Sequence, residues 1–248
     1  MSEQQTVLVT GGSGYIGSWC VIGLLQQGYT VRTTVRNLGR EGAVRAAIGT
    51  VVDAQDRLAF HAADLTSDAG WDAAASGCDY VLHVASPIAI AEPRNADELI
   101  VPARDGTRRA VGAALRAGVK RVVLTSSVAA ASPRTGARES ASDETVWTDL
   151  DDPRVNAYSR SKTLAERTAW DLVAAAPGDT TLATVNPSVV LGPILSRDFS
   201  DSVQVIQRLL SGRVPGLPRL GFSFVDVRDV ADLHIRAMTA PEAAGQRF

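Results

Sequence analysis

Short apolar runs rich in β-branched residues alternate along the chain with longer segments whose apolar residues recur at helical spacing. The run at residues 6–10 ends in glycines, and residues 15–28 then show helical spacing through Ile16, Cys20 and Leu24. Further strands are predicted at 29–36, 57–65, 78–87, 120–127 and 179–187, and further helices at 95–118 and 159–176. Strands that alternate with helices predict the α/β class, with a doubly wound parallel sheet that binds ligands at the carboxyl ends of its strands.

A cluster of glycines, TGGSGYIG at residues 10–17, lies between the first strand and the first helix. Glycine lets the backbone approach phosphates closely, and a helix N-terminus offers free N–H groups and a partial positive charge to a pyrophosphate. This context favours dinucleotide binding over a flexible turn. The predicted contacts in this Rossmann-type turn are Gly11, Ser13, Gly14, Tyr15, Ile16 and Gly17.

The second strand predicts which dinucleotide binds. A cofactor without a 2′-phosphate usually meets an acidic residue about 20 residues after the glycines, but no acid occurs between Gln4 and Arg40. Arg36 stands at that distance, and its planar guanidinium can pair with a 2′-phosphate. We therefore predict NADP(H), with Arg40 as a second contact. A solvated arginine at a strand end is the alternative interpretation of Arg36.

Tyr158 and Lys162, in the segment YSRSK, are one helical turn apart, which puts both side chains on one face of a helix. The lysine is informative because the chain has two lysines, Lys120 and Lys162, against 23 arginines. A phenol is mostly protonated at neutral pH, and a nearby ammonium favours its phenolate form. We predict that Tyr158 gives a proton to a carbonyl oxygen as hydride reaches the carbon, and that Lys162 also binds the nicotinamide ribose. The alternative is a surface pair without a catalytic role.

Two serines follow the fifth strand in the segment LTSSVAA, residues 124–130. The carboxyl end of a strand is the ligand side of such a sheet, so Ser126 or Ser127 can donate a hydrogen bond to the substrate oxygen. Serines are also common in turns, so position alone leaves both serines, and a purely structural role, open.

Seven motifs together resemble the extended short-chain dehydrogenase/reductases: TGGSGYIG, ADL, HVASP, TSS, YSRSK, NPSVVLGP and FVDVRDVADLH. Within that group the chain is most similar to the dihydroflavonol reductase, cinnamoyl-CoA reductase and aldehyde reductase branch, through GYTVRTTVRN and HVASP. The resemblance extends from about residue 5 to the last residue. The family often has a catalytic asparagine on the helix before the fifth strand; IVPARDGTRRA lacks it, as that branch does.

The resemblance implies a catalytic set of Ser127, Tyr158 and Lys162, with Ser127 rather than Ser126 at the family position. It also supports Arg36 as the 2′-phosphate contact. The remaining contacts that it implies are Asp64 and Leu65 beside the adenine, Ala85 and Ser86 along the cofactor, and Pro187, Ser188 and Val189 on the nicotinamide side.

Three segments are predicted: a dinucleotide-binding domain at 1–187, substrate-side loops and a helix at 188–222, where glycine and proline recur, and a return to the first domain at 223–248. Family members continue for several dozen residues beyond GQRF, whereas this sequence ends at Phe248 within a predicted strand. We therefore expect a small, truncated substrate-binding region. Its apolar wall is predicted to include Pro87, Ile88, Ile90 and Val128.

Composition narrows the function classes. The net charge of -2 gives no electrostatic argument for nucleic acid or an anionic membrane, and no signal peptide or spanning apolar run is evident. With two cysteines and no metal-ligand spacing among His61, His83 and His234, we predict a cytoplasmic protein without a disulfide framework or metal. His83, on a strand that runs toward the cofactor side, is predicted to be a satisfied core histidine rather than a catalytic residue.

The predicted function is an NADPH-dependent reductase that transfers hydride to an aldehyde or ketone, with Tyr158 as the proton donor. The alternatives are an NAD-dependent nucleotide-sugar epimerase or dehydratase, and a non-catalytic NADP(H)-binding regulator. The predicted partner is a small-molecule carbonyl substrate, and a homodimer remains open. Two further predictions concern structure: Asp226, Asp229 and Asp232 cap a helix or form ion pairs, and Trp147 packs rather than reaching the pocket.

Overall fold

The computed structural model describes residues 4–87, 93–133, 142–196, 201–212, 221 and 223–248. The strands are β1 (Thr6–Thr10), β2 (Thr30–Val35), β3 (Leu58–Ala62), β4 (Tyr80–His83), β5 (Arg121–Thr125), β6 (Thr181–Val185), β7 (Val189–Leu191) and β8 (Phe224–Asp226). The helices are α1 (Tyr15–Gln26), α2 (Glu41–Gly49), α3 (Trp71–Ala75), α4 (Asp97–Arg116), α5 (Ala157–Ala175), α6 (Asp201–Leu210) and α7 (Val227–Thr239). The predicted ranges therefore match the observed elements to within a few residues at most ends.

The main sheet has six parallel strands in the order β3-β2-β1-β4-β5-β6. The chain moves outward in one direction from β1 to β3, then returns to place β4 on the other side of β1. This reversal puts a crevice at the carboxyl ends of β1 and β4, where open parallel sheets bind their ligands. The predicted doubly wound α/β fold is confirmed.

Strand side chains alternate between two apolar layers because successive residues of a strand point to opposite faces. Val7 and Val9 pack with α1, α2 and α7, whereas Leu8 packs with α3, α4 and α5 on the other face. Helices cover both faces, so the central strands are buried on both sides, as parallel sheets require.

A second sheet was not predicted. Strand β7 lies in the region at 188–222, which was expected to hold only loops and a helix, and β8 lies in the following segment, which was expected to return to the first domain. The two strands pair in parallel, with Val189 opposite Phe224. Each strand has three residues, which is too short for a clear alternating pattern. Among the described residues, no helix is long and apolar enough to cross a membrane.

The end of the sequence runs beside β6. The backbone N–H of Phe248 donates to the Thr184 carbonyl at 2.9 Å, and the Asn186 N–H donates to the Phe248 carbonyl at 2.7 Å. This placement agrees with the prediction that residues near Phe248 lie in a strand-like segment, and it brings Arg247 to the carboxyl end of the sheet.

Candidate active site

Most of the predicted site residues lie at one end of the main sheet, because they follow the carboxyl ends of its strands. The glycine-rich turn follows β1, Arg36 follows β2, Asp64 and Leu65 follow β3, Ala85 and Ser86 follow β4, Ser127 follows β5, and Pro187, Ser188 and Val189 follow β6. Parallel strands present their carboxyl ends together, so residues far apart in sequence surround one crevice.

The glycine-rich turn has no room for a side chain at Gly12 or Gly17. Gly11 has a left-handed φ of 71°, and the N–H of Gly14 donates to its carbonyl at 2.8 Å. A Cβ at Gly17 would lie 2.3 Å from that same carbonyl oxygen, and a Cβ at Gly12 would lie 2.0 Å from Thr33 Oγ1. The turn requires glycine at these positions, because only glycine fits where the turn meets α1 and β2.

The N-terminus of α1 is built to receive an anion. Gly14 is the capping residue, no side chain caps the helix, and the first turn carries no acid. The first N–H groups of a helix have no intrahelical acceptor, and the helix dipole adds partial positive charge there. The pyrophosphate of a dinucleotide fits this uncapped end, whereas a carboxylate in the first turn would compete with it.

Basic residues flank the place where the adenosine half of a dinucleotide would lie. Arg36 is exposed immediately after β2. Hydrogen bonds from Thr66 lower the pKa of Asp64, and the positive charge of Arg36 contributes to this shift, so Arg36 and Asp64 face the same region. Arg40 ends the short 3-10 turn at residues 38–40. In contrast, Arg32 donates to the carbonyls of Ala74 and Ser76 at the C-terminal end of α3, away from the crevice.

Tyr158 and Lys162 lie in the first turns of α5, whose N-terminus is fixed by Asn156. The Asn156 carboxamide accepts the Ser159 N–H at 2.8 Å, so the helix begins at Ala157 rather than at the predicted residue 159. Lys162 is 5% exposed, and its ammonium donates to Ser86 Oγ at 2.9 Å. The same nitrogen lies 5.9 Å from the centre of the Tyr158 ring.

The Tyr158 hydroxyl is available to a ligand. Tyr158 is half-buried, and its hydroxyl makes no hydrogen bond to another residue in the described part of the chain. The phenol is therefore placed by its helix beside the Lys162 ammonium, and none of the described residues competes for its oxygen.

The two serines after β5 have different surroundings. Ser126 Oγ donates to Glu166 Oε2 at 2.5 Å in a fully buried contact, so this hydroxyl is already engaged. Ser127 Oγ accepts the N–H of Ala129 at 3.2 Å, which leaves its own proton to donate. Geometry thus favours Ser127 over Ser126 as the residue that binds a substrate oxygen.

The backbone around Ser127 is tied to the end of β6. Asn186 Nδ2 donates to the Ser127 carbonyl at 3.1 Å, and the Val128 N–H donates to the Pro187 carbonyl at 3.2 Å. Val128 is 46% exposed and Pro87 is half-buried, so both can contribute to an apolar wall. Ile88 and Ile90, which were predicted for the same wall, lie outside the described residues.

Other predicted contacts are held by neighbouring elements. Leu65 packs against the backbone of Gly106 in α4, where any Cβ would lie 2.6 Å from the leucine side chain. Ala85 packs on Gly11, where a Cβ would lie 3.0 Å from it. Ser188 donates to the Ser223 carbonyl at 2.7 Å, which links the nicotinamide side to the second sheet.

Glu166 and Arg247 were missed by the sequence analysis. Glu166 lies one helical turn after Lys162 and is fully buried, with Arg247 Nε 2.7 Å from its Oε1. A glutamate in a helix that also carries exposed charges gives no sign of being buried. The spacing YSRSKTLAE, which puts Glu166 on the Lys162 face, was the available sequence signal, but its partner is 81 residues away.

Two histidines are buried beside strand ends: His83, which was predicted to be a core residue, and His234, for which no such prediction was made. His83 Nδ1 is 2.8 Å from Thr10 Oγ1, and His234 Nε2 is 2.6 Å from Thr125 Oγ1. Burial lowers the pKa of His83 to about 3, with a further contribution from Lys162, and lowers the pKa of His234 to about 4. His83 departs from a fully satisfied core residue, because its buried Nε2 has no hydrogen-bond partner.

The structural predictions are confirmed for Asp226 and Asp232 in α7 and its cap, where Asp232 pairs with Arg236, and for Trp147 beside α5, whereas the prediction for Asp229 stays a prediction. Asp226 accepts the Arg228 N–H at 2.8 Å and pairs with its guanidinium, so it is both a cap and an ion-pair partner. Trp147 packs with its ring centre 3.9 Å from the Arg247 guanidinium carbon and 5.3 Å from that of Arg167.

Comparisons with known proteins show the family of this chain. Residues 7–248 match the model of the NAD dependent epimerase/dehydratase family. Cinnamoyl-CoA reductase 2 of Medicago truncatula is 38% identical over 246 residues, which cover 98% of this chain and 70% of the relative. Dihydroflavonol 4-reductase of Zea mays is 36% identical over 252 residues, covering 99% of this chain and 70% of the relative.

Solved structures give the same result. Yeast methylglyoxal/isovaleraldehyde reductase Gre2, in its complex with NADPH, matches with a TM-score of 0.88 and 26% identity over 98% of this chain and 77% of that one. Vestitone reductase from alfalfa matches with a TM-score of 0.78 and 29% identity over 99% and 76%. The chain belongs to the NAD dependent epimerase/dehydratase family, and to its extended short-chain dehydrogenase/reductases. The resemblance to the dihydroflavonol and cinnamoyl-CoA reductase branch is confirmed.

Proposed function

We propose that this protein is an NADPH-dependent reductase of aldehydes or ketones. The observation that carries the proposal is the buried Lys162 ammonium, which lies beside the Tyr158 ring and donates to Ser86 after β4, at the end of the sheet where Ser127 follows β5. The reductases similar to this chain, among them cinnamoyl-CoA reductase and the NADPH complex of Gre2, support the same activity.

The residues of the crevice have distinct roles in binding NADPH. We assign the pyrophosphate to the backbone of the turn at residues 11–17 and the 2′-phosphate to Arg36 and Arg40. Asp64 and Leu65 border the adenine, Ala85 and Ser86 lie along the cofactor, and Pro187, Ser188 and Val189 line the nicotinamide side. When bound, NADPH supplies hydride to the carbonyl carbon of the substrate.

Proton transfer to the substrate oxygen is assigned to this chain's own side chains. Ser127 donates a hydrogen bond that orients the carbonyl oxygen and stabilises the charge that develops on it. Tyr158 gives its phenolic proton to the same oxygen, which completes the alcohol. Lys162 holds positive charge beside the Tyr158 ring and so stabilises the phenolate left behind.

Lys162 is expected to exchange partners when the cofactor binds. Its ammonium donates to Ser86 Oγ, and Ser86 itself is expected to lie along the cofactor. A ribose hydroxyl can take over or share this hydrogen bond, because a lysine ammonium has three donors that rotate freely. The same Lys162 ammonium can therefore bind the cofactor and stay close to Tyr158.

The substrate is expected to be a small carbonyl compound with an apolar group. Val128, exposed at 46%, lies one residue after Ser127, so an apolar substituent of the substrate can contact it while the oxygen binds Ser127. Pro87, half-buried after β4, offers a second apolar contact.

The alternatives are less well supported. An epimerase or dehydratase acting on sugar nucleotides is named by the family description, but the similar proteins include reductases at 36–39% identity. The residues after the strand-five hydroxyl are Val128 and Ala129, whereas the dehydratases are expected to carry acids there. A regulator that only binds NADP(H) has no need for Tyr158 with a free hydroxyl beside a buried lysine.

The test is carbonyl-dependent oxidation of NADPH, with NADH in parallel, over a panel of aromatic and aliphatic aldehydes and ketones. Tyr158→Phe should keep NADPH affinity and lose at least about 100-fold in turnover, since general acid catalysis contributes about that much. Tyr80→Phe is the matched control, because Lys120 Nζ lies 5.6 Å from its ring centre, away from the crevice. Full activity of Tyr158→Phe would remove the mechanism, and NADPH binding without turnover in the wild-type protein would favour the regulator.

A further inference from the structure

A buried ion pair outside the predicted catalytic set joins α5 to the end of the chain. The Glu166 side chain is 0% exposed and that of Arg247 is 9% exposed, and two nitrogens of the guanidinium contact the two carboxylate oxygens. Burial acts to raise the pKa of Glu166. Hydrogen bonds from Arg247, Ser126 and Asn186 outweigh this effect and lower that pKa, so the carboxylate is ionised.

The carboxylate side of the pair holds the carboxyl ends of β5 and β6. Glu166 Oε2 accepts Ser126 Oγ at 2.5 Å and Asn186 Nδ2 at 2.9 Å, while Oε1 accepts Thr184 Oγ1 at 3.0 Å. Asn186 also donates to the Ser127 carbonyl at 3.1 Å. Through these contacts, Glu166 determines where Ser127 lies relative to α5.

The guanidinium side holds the backbone on the substrate side of the crevice. Arg247 donates to the carbonyls of Glu144 at 2.6 Å, Val146 at 2.8 Å and Ala130 at 3.4 Å. Its guanidinium also stacks on the Trp147 ring. Arg247 thus connects the turn that follows Ser127, the segment at residues 144–147 and α5.

We propose that Glu166 and Arg247 form a positioning pair that sets the place of the oxygen-binding Ser127 against the proton donor Tyr158. This inference rests on the proposed reductase activity. Glu166 shares a rigid helix with Tyr158 and Lys162, so any shift of the pair moves Ser127 relative to the phenol. A displacement of about 1 Å between reacting groups costs about 100-fold in rate.

A buried arginine at the opposite end of β5 provides the matched control. Arg121 is 8% exposed and donates to Thr181 Oγ1 at 2.9 Å and to the carbonyls of Ala237, at 2.8 Å, and Ala240. Like Arg247, it is buried and joins separate segments through backbone carbonyls, but it lies at the amino end of the strand and has no carboxylate partner among the described residues. Arg121→Lys and Arg247→Lys each remove a guanidinium that joins such segments, and only the second is close to the catalytic set.

Steady-state kinetics of the full chain with saturating NADPH is the first measurement. Arg247→Lys should lower kcat about 10- to 100-fold, with the NADPH dissociation constant and the carbonyl KM changing less than about 3-fold. Arg121→Lys should lower the unfolding temperature similarly and keep kcat within about 2-fold. Glu166→Gln should behave as Arg247→Lys does. Equal kcat losses in Arg247→Lys and Arg121→Lys would reduce the pair to a purely structural role and overturn the proposal.

Amide hydrogen exchange of the NADPH-bound protein is the second measurement, and it needs no turnover. The Ala130 N–H donates to the Ser127 carbonyl at 2.9 Å, and the Thr148 N–H donates to the Ala130 carbonyl at 3.0 Å. Both amides should exchange at least about 10-fold faster in Arg247→Lys and at the wild-type rate in Arg121→Lys. Unchanged exchange in Arg247→Lys would overturn the positioning role. If the wild-type protein shows no carbonyl reduction but exchange responds as expected, the proposed function fails while the positioning of Ser127 by the pair is supported.

Discussion

Acid should destabilise this protein through two buried histidines, which lie beside the crevice at the carboxyl ends of the strands of the main sheet. The perturbation is a change from about pH 7.5 to about pH 5, where an exposed histidine takes up a proton. Thr10 Oγ1 accepts the N–H groups of Val84 and Ala85, both at 3.0 Å, so its single proton goes to His83 Nδ1. A proton added to Nδ1 would face an oxygen whose lone pairs are occupied.

His234 is also held in its neutral form. Its Nδ1 lies 2.7 Å from the Val230 carbonyl and must donate to it, so Nε2 accepts the Thr125 hydroxyl. A protonated imidazole would remain buried between α7 and β5, and no carboxylate of the described residues contacts it. Thr10 and Thr125 are the last residues of β1 and β5, so both hydrogen bonds support strand ends that lead into the crevice.

The sign and size follow from proton linkage. Burial lowers the pKa of His83 to about 3 and that of His234 to about 4. The unfolded chain, with histidine near pKa 6.5, therefore binds more protons below about pH 6.5, and the free energy of unfolding falls as the pH drops. The stability is complete above about pH 6.5 and is lost progressively toward the folded pKa values. Between about pH 7.5 and about pH 5, each histidine should cost about 2 kcal/mol, and the two together about 4 kcal/mol.

Urea unfolding at closely spaced pH values measures this dependence. The lowered pKa values of Glu166 and Asp226 keep these carboxylates ionised over the range, so they add little. His234→Gln should remove about half of the pH dependence, whatever it does to stability at neutral pH. His61→Gln is the control: His61 is half-buried, so this variant should keep most of the dependence. A free energy of unfolding that changes by less than about 1 kcal/mol over this range would refute the neutral, buried state of both histidines.

Three further predictions concern the crevice. Gly17→Ala should abolish NADPH binding, measured by fluorescence titration, because its Cβ would lie 2.3 Å from a backbone oxygen of the turn. The control, Gly49→Ala, has open space at its Cβ and should bind NADPH normally. Arg36→Ala should weaken NADPH binding by about 10- to 100-fold through the lost charge-assisted hydrogen bonds and leave NADH binding unchanged; equal losses for both cofactors would exclude a 2′-phosphate contact. Ser127→Ala should lower kcat about 100-fold at nearly wild-type stability, whereas Ser126→Ala should cost about 1–3 kcal/mol of stability, measured by urea unfolding, because a buried carboxylate loses a donor.

The fold was predictable because its signals are local. Each of the predicted strands and helices has its own apolar pattern, and the glycines at residues 11–17 lie at one strand–helix junction. Tyr158 and Lys162 are one turn apart on a single helix, so their proximity follows from the sequence alone. Strand order then brings Ser127 to the same edge, because all carboxyl ends of a parallel sheet lie together.

The unpredicted features depend on packing between distant segments. Ser126 and Ser127 are equivalent in sequence, and the buried Glu166, on a helix that starts about 30 residues later, engages one of them and leaves the other free. Arg247 reaches Glu166 only because the last residues run beside β6. No periodicity or spacing encodes these contacts, and the three-residue strands of the second sheet are likewise fixed by their pairing.

The chain has two lysines and 23 arginines, and the two residue types have different roles in structure and in the proposed chemistry. Buried or half-buried arginines join separate segments through several carbonyls at once: Arg160 binds the carbonyls of Leu150, Asp152 and Val155, and Arg247 binds three others. A planar fork with five donors suits that role. At Lys162 the requirement differs, because one compact ammonium must contact Ser86, lie beside the Tyr158 ring and reach a ribose hydroxyl. A guanidinium would spread its charge and fix its donors in one plane, so the chain has a lysine where charge must be concentrated at one atom.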